Sequence, residues 1–520
     1  MRRIINRLLV SYLIFAFLFY GCATNPVTGK QELHLISESY EIKVGEDNYL
    51  YTQQSQGGDY LTDPELIQYV KDVGHRLSQV SDRPQLPFEF VIINSSVPNA
   101  WALPGGKIAI NRGLLLELDN EAELAAVLGH EIVHATARHG AKSMERGLLM
   151  NAALIGLSIY VASSDYSQYQ NAILGAAGLG TTLIGQKYSR GAELEADFYG
   201  MHYMSKAGFD PTAAVGLQQT FVRLADNRQP NWLEGLFSSH PPSQERVDAN
   251  METAKSLRTD GLLGRGSYQE QITVLREQTP GYEAVDEGYK AILKKQYRQA
   301  IQFADTAIRI VPRESLGYAL RAAANTQMGR THEAVQDYDQ AIQQNDRYFR
   351  HYLERGLLKK QMGLHYEASA DLERSVKYLP TAVAQYSLGD LALANNDMNK
   401  AITHFRAASE AKNELGQKAR IALARLEMPQ KPLQYLNIQV GPDQAGSLLL
   451  RVTNKSPVTL DYAVFYITAP DIRGRMQNRT LYLHGALTPG NFQILSTNIL
   501  VGSQQAASQA QVRIGNVRVR

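Results

Sequence analysis

Residues 125–137 read AAVLGHEIVHATA, and within them His130-Glu131-Ile132-Val133-His134 spells H-E-x-x-H. Asn120, followed three residues later by Glu123, makes a capping-box start, and Ala125, Ala126, Val127 and Leu128 carry an apolar, helix-forming run into the motif. Residues four apart on a helix stand one above the other on one face, so both imidazoles can reach a single ion. Glu131 is turned about 100° away, too far round to join the pair as a ligand, yet well placed to contact a water held by the ion. Two neutral nitrogens suit zinc, and a catalytic zinc site takes three protein ligands and keeps one position open to water. A third ligand must therefore come from elsewhere in the chain.

At 520 residues the chain is too long for one core, and two to four domains are expected. Lys plus Arg number 53 against 51 Asp plus Glu, a formal charge of +2, which argues against a dedicated nucleic-acid binder. Apolar residues make up 44%, ordinary for a soluble globular protein, and no apolar run reaches the length of a membrane span.

The N-terminus carries Arg2, Arg3 and Arg7, then the apolar run Leu8–Tyr20, then Gly21-Cys22. The run is too short to cross a bilayer and suits the apolar part of an export signal. The arrangement resembles a bacterial lipoprotein signal, which implies that Cys22, the one cysteine, becomes the lipidated first residue of the mature chain. By the same resemblance, Ala23 rather than Asp at the next position favours the outer membrane. With Cys22 so used no disulfide is available, and stability must come from core packing.

Thr24–Gly29 is a turn-rich tether, Ser37–Tyr51 and Asp63–Val80 read as amphipathic helices, and Phe88–Asn94 as a strand. Ala100–Asn111 reads as two short strands around Pro104-Gly105-Gly106, with an exposed edge suited to pairing with an extended peptide. The motif helix is expected from Glu121 to about Gly140. Asn151–Gly185 alternates Gly/Ala-rich apolar bursts, each short of a span, and reads as buried or cleft-flanking helices. A helix over Tyr188–Met204 places Glu193 and Asp197 on one face, with Ala196 and Gly200 allowing another helix to approach closely. Helices over Pro211–Asn227 and Glu245–Leu257 flank a loop carrying Ser239-His240-Pro241-Pro242.

Further on the chain repeats itself. Ala300, Ala334, Ala368 and Ala401 recur at intervals of 34, 34 and 33 residues; Ala307, Ala341, Ser375 and Ala408 follow in the same register, and Gly288, Ala322, Gly356 and Gly389 precede it. Small residues at fixed places let paired helices pack tightly, and this period points to tetratricopeptide repeats, which stack into a surface for peptides or proteins. Beyond Met428–Pro432, six short β-rich runs (Leu436–Val440, Ser447–Thr453, Thr459–Thr468, Thr480–Leu483, Gln493–Leu500 and Gln511–Val519) predict a small β-sandwich.

HEIVH with downstream SRGAELEAD resembles the gluzincin metallopeptidases of the HtpX and CAAX-prenyl-protease clan, and NAWALPGG and SHPPSQER match its periplasmic branch. The resemblance implies a zinc endopeptidase with one zinc per chain, held by His130, His134 and Glu193. It further implies Glu131 as general base, Asp197 as hydrogen-bond partner of a ligand histidine, His240 as a regulatory fourth ligand or transition-state donor, and Arg246 as an anchor for its loop. The expected fold is multidomain: an α+β, mostly helical zincin peptidase domain, an α-solenoid of tetratricopeptide repeats and a C-terminal β-sandwich. Expected boundaries are a signal at 1–21, a tether at 22–36, the peptidase at 37–260, a linker at 261–281, about four repeats at 282–413, a linker at 414–432 and the β-domain at 433–520. The implied setting is the periplasm, with a lipid anchor in the outer membrane, unfolded or misassembled proteins as substrates, and assembly machinery recruited by the repeats. The alternative is a chaperone-like adaptor in which proteolysis is rare or vestigial.

Overall fold

The computed structural model describes residues 22–147, 188–226 and 240–520. The signal segment, the Cys22 side chain and the stretch 151–185 lie outside the described residues. No described helix is long and apolar enough to cross a membrane. The chain divides into two compact units, Met1–His351 and Tyr352–Arg520.

The first unit opens with an antiparallel hairpin of β1 (Cys22–Thr24) and β2 (Gln31–Leu33). The stretch read as a tether is thus folded and docked. Asn25 is buried; its Oδ1 accepts from the N–H groups of Val27 and Thr28, and its Nδ2 donates to the carbonyl of Ala137. Helix α1 (Glu38–Gln56) is capped by Ser37, and α2 (Pro64–Ser78) by Asp63 with Pro64 at its first turn. Leu66, Val70, Val73 and Leu77 recur at helical spacing on α2 and are buried in the main core.

A three-stranded sheet runs in the order β3 (Glu89–Ile93), β5 (Lys107–Asn111), β4 (Ala100–Leu103), with β3 parallel and β4 antiparallel to β5. The turn between β4 and β5 needs glycine: Gly105 and Gly106 have φ of +77° and +86°, and a Cβ on Gly105 would stand 2.7 Å from Ile42 Cα. Strand β4 occupies the sheet edge as expected, but its four residues are buried rather than exposed.

Helix α3 (Glu121–Thr136) carries the H-E-x-x-H motif and starts at Asn120, whose side chain accepts from the N–H of Glu123. The sequence pattern carries this helix to about Gly140. The structure ends it earlier, because Arg138 adopts a left-handed φ of 62°. A buried ion cluster holds that break: Arg138 Nε donates to Glu41 Oε2 at 2.8 Å, and Arg83 Nη1 donates to Glu41 Oε1 and to the Ala135 carbonyl. Helix α4 (Arg190–Lys206) packs against α3, while α5 (Thr212–Asp226) and α6 (Gln244–Lys255) complete the group.

Residues 261–281, read as a linker, are helical and packed. Tyr268 and Ile272, at α7 (Arg265–Gln271), and Leu275, in α8 (Thr273–Leu293), are fully buried in the core that also takes α3. Each aliphatic side chain so buried contributes about 1.5–3 kcal/mol. Helices α8, α9 (Tyr297–Ile310), α10 (Ser315–Gln327) and α11 (Thr331–Gln344) then pack in succession, with Ala300, Ala307, Ala334 and Ala341 at their contacts, all buried. Helix α12 (Phe349–Gln361) carries the division between the units.

In the second unit α13 (His365–Tyr378), α14 (Ala382–Ala394), α15 (Met398–Ser409) and α16 (Glu414–Glu427) continue the helix pairs, again with Ala368, Ser375, Ala401 and Ala408 fully buried. Two three-stranded antiparallel sheets follow. One has β10 (Phe492–Leu500), β7 (Ser447–Asn454) and β6 (Leu436–Pro442); the other has β11 (Gln511–Val519), β8 (Leu460–Pro470) and β9 (Met476–Leu487). Leu448, Leu450 and Val452 from the first and Ala463, Phe465 and Ile467 from the second share one core. Ala424 and Met428 enter that core, so the span 414–432, read as a linker, is a packed helix.

Candidate metal centre

Two helices build the centre, and their closeness is a matter of missing side chains. A Cβ on Gly129 would stand 3.3 Å from the Gly200 carbonyl oxygen, and one on Gly200 would stand 3.1 Å from the His130 nitrogen. With Ala196 fully buried on the same contact, α3 and α4 approach until acids on one reach imidazoles on the other.

His130 and His134 turn their Nε2 atoms to one point, 3.0 Å apart. Glu193 brings Oε2 to 3.5 Å from His130 Nε2 and Oε1 to 3.5 Å from His134 Nε2. His240 enters from the start of the segment before α6, with Nδ1 at 3.2 Å from His130 Nε2 and 3.1 Å from Glu193 Oε1. One donor atom from each of these four buried residues lies within 4.8 Å of the others. A tetrahedral ion with bonds of about 2.0–2.1 Å needs donors spaced at about 3.4 Å, so these separations of 3.0–3.5 Å fit zinc in size as well as in ligand type.

The surroundings supply charge and orientation. Asp197 Oδ1 lies 2.8 Å from His130 Nδ1, a contact that would keep the proton on Nδ1 and leave the Nε2 lone pair to an ion that displaces the second proton. Arg246 grips Asp197 with two bonds of 2.7 Å, reaches Glu193 Oε2 at 3.0 Å and donates to the Pro241 carbonyl beside His240. Burial alone would push the His130 imidazole down, but Glu193 and Asp197 outweigh it and hold it at about 10. The same negative field suits a divalent cation. Burial raises the carboxyls of Glu193 and Asp197, yet His240 and His130 for the former and Arg246 for the latter bring both below their ordinary range. His134 is held neutral by burial and by the neighbouring His130 charge. Glu131 is also buried; desolvation pushes its carboxyl up, and its Oε2 has no hydrogen-bond partner among the described residues.

Residues 64–254 match the family model described as Peptidase family M48. This stretch is similar to that family over 191 of the chain's 520 residues. The beta-barrel assembly-enhancing protease of Escherichia coli K12 is 32% identical to the chain over 248 residues, 45% of this chain and 48% of that protein. Its counterpart in Yersinia pestis is 29% identical over 253 residues, 47% and 50% of the two chains. The mitochondrial metalloendopeptidase OMA1 of Schizosaccharomyces pombe is 33% identical over 224 residues, 43% of this chain and 63% of that protein. The match to the two assembly-enhancing proteases spans about half of their length.

Within the matched stretch the structure brings His130, His134, Glu193, His240, Glu131, Asp197 and Arg246 into one cluster. It also adds residues that the sequence did not single out. Tyr188 stacks on His134, ring centroids 3.9 Å apart and planes 15° from parallel. His139 Nδ1 lies 2.8 Å from His134 Nδ1, and His139 Nε2 lies 3.1 Å from Glu195 Oε1. Glu195 lies on a different face of α4 from Glu193, and that face carries it to His139.

Proposed function

We propose that this chain is a zinc-dependent endopeptidase of the bacterial envelope that rests in a latched state. The observation that carries the reading is the cluster of four buried donors within 4.8 Å of one another, beside a buried carboxyl group with an unpartnered oxygen. Bound there by His130, His134 and Glu193, zinc would supply Lewis-acid polarisation of a peptide carbonyl and a water of pKa near ~7. Glu131, raised by burial, is placed as the general base that would accept a proton from an attacking water and return it to the leaving amine. Asp197, itself held by Arg246, fixes His130 in the tautomer that presents Nε2. Strand β4, at the edge of its sheet, takes the substrate as an added strand once the edge is uncovered.

His240 supports the latch. Its Nδ1 completes the four donors while its Nε2 faces Glu131 Oε1 at 3.5 Å, so one side chain engages both the open position and the base. In this reading His240 must swing away before a substrate carbonyl enters. The wider assignment rests on the likeness to the assembly-enhancing proteases and on the sequence. Clients are unfolded or stalled envelope proteins, the repeats recruit them or assembly machinery, the C-terminal sheets form a β-sandwich, and Cys22 anchors the chain in the outer membrane.

The test is cleavage of an unfolded protein by the purified full chain. It is expected to hold about one zinc and cleave, Glu131→Gln to hold zinc without cleaving, and His240→Ala to cleave faster than the parent. A zinc-free parent, or a Glu131→Gln variant that cleaves as well as the parent, overturns the reading. The engaged His240 also favours a second reading, an adaptor whose proteolysis is vestigial; equal biological complementation by the parent and Glu131→Gln would select it.

A further inference from the structure

Asp197 accounts for the orientation of His130, and nothing so far accounts for His134. We infer that His139 and Glu195 act as a positioning relay that sets the tautomer and ring angle of His134. The inference rests on the reading of His134 as a metal ligand.

The proton arrangement follows from the chemistry of the three groups. An ionised carboxylate only accepts, so Glu195 Oε1, at 3.1 Å, requires a proton on His139 Nε2. A neutral imidazole so protonated keeps its lone pair on Nδ1. That lone pair lies 2.8 Å from His134 Nδ1, which must then be the donor. With its proton on Nδ1, His134 presents the Nε2 lone pair, the atom that faces His130 Nε2 and Glu193. Each link has one consistent direction, from Glu195 through His139 to the Nε2 of His134. Tyr188, stacked on the His134 ring, fixes the plane in which that nitrogen points.

The backbone is arranged to allow this. On an unbroken helix, residues five apart are turned by about 140° from one another and cannot meet. The left-handed Arg138, locked by Glu41, ends α3 between the two histidines and returns His139 to the Nδ1 edge of His134. A residue that merely filled space would need neither the break nor a carboxylate behind it. His139 is nearly fully buried, and the Glu195 side chain is 20% exposed. The two ligand histidines are therefore oriented by separate acids of one helix, Asp197 directly and Glu195 through an intermediary.

The experiment is zinc affinity by chelator competition on the full chain, together with the visible spectrum of the cobalt-substituted protein. His139→Ala is expected to lose about 10–100-fold in zinc affinity and to shift the cobalt bands. His139→Asn, whose side-chain oxygen can accept from His134 Nδ1, is expected to recover to within about threefold of the parent. Glu195→Ala should weaken binding several-fold in the parent background and have no effect when His139 is already Asn. Because Glu195 is partly exposed, its variant keeps the test alive if His139→Ala does not fold. Unchanged affinity in Glu195→Ala, or in a folded His139→Ala, overturns the relay; so does His139→Asn binding as weakly as His139→Ala. A parent that holds no zinc overturns both this and the peptidase reading, whereas a zinc-holding parent with unaffected variants overturns the relay alone.

Discussion

Around Glu193 the interior is made of His130, Glu131, His134, Asp197, His240 and Arg246, all nearly or fully buried. In the repeats the positions buried to the same degree are Ala300, Ala334, Ala368 and Ala401, with Gly288 and Gly389 where helices touch. The first interior costs desolvation at every residue and is tolerable only because each charge has a partner. The second costs nothing in solvation and gains from dense packing. The difference separates two kinds of mutational consequence. A near-isosteric substitution in the centre that strands no buried charge should change chemistry at small cost to folding, while one in the repeats should change stability and leave the metal untouched.

The largest effect that would sharpen this comparison is Glu131→Gln, a near-isosteric change. Proteolysis is expected to fall by about 10²–10⁴-fold with zinc content unchanged, measured on an unfolded substrate. Retained cleavage would break the comparison at its stronger end. Gly389→Ala tests the other interior. The new methyl would stand 2.7 Å from Cε1 of Phe405, whose ring is fully buried. Overpacking should cost about 1–3 kcal/mol in thermal or urea unfolding, with zinc affinity equal to the parent's. A neutral result would mean that the repeats are packed less tightly than their alanine register implies.

A smaller effect comes from the one buried imidazole of the repeats that has lost its charge. Burial, with Arg350 beside it, pushes His351 from an ordinary 6.5 down to about 3. Between those values the unfolded chain binds a proton that the folded chain does not, so folding stability falls as pH drops from 6.5 toward 3. The contribution approaches about 1.4 kcal/mol per pH unit across that window. Urea unfolding at pH 6 and pH 5 should therefore show a shallower pH slope in His351→Gln than in the parent. Equal slopes would remove His351 as the cause.

The two interiors were not equally open to sequence reading. Spacing within one helix is local, so the shared face of His130 and His134, and that of Glu193 and Asp197, could be written down from residue numbers alone. The alanine register of the repeats is legible for the same reason, since it recurs at one period over four units. What escaped depends on distant parts of the chain. His139 meets His134 only because Arg138 breaks α3, and Arg138 is held by Glu41, 97 residues earlier. The packed segments taken for linkers carry short stripes, Tyr268, Ile272 and Leu275 in one and Ala424 and Met428 in the other, that are set among polar residues and bury themselves in cores built elsewhere. Asn25 looks like a turn residue until its contact with Ala137 is known. Strand β4 holds the expected edge, but burial of that edge is a tertiary fact.

The central claim is that His130, His134 and a carboxylate from a second helix close on one ion. The most direct measurement is the zinc content and affinity of the purified full chain beside Glu193→Gln, which keeps the shape of the side chain and removes its charge. About one zinc per chain in the parent, and a loss of affinity of at least about tenfold in the variant, is the expected result. Equal zinc binding by the two proteins would contradict the account.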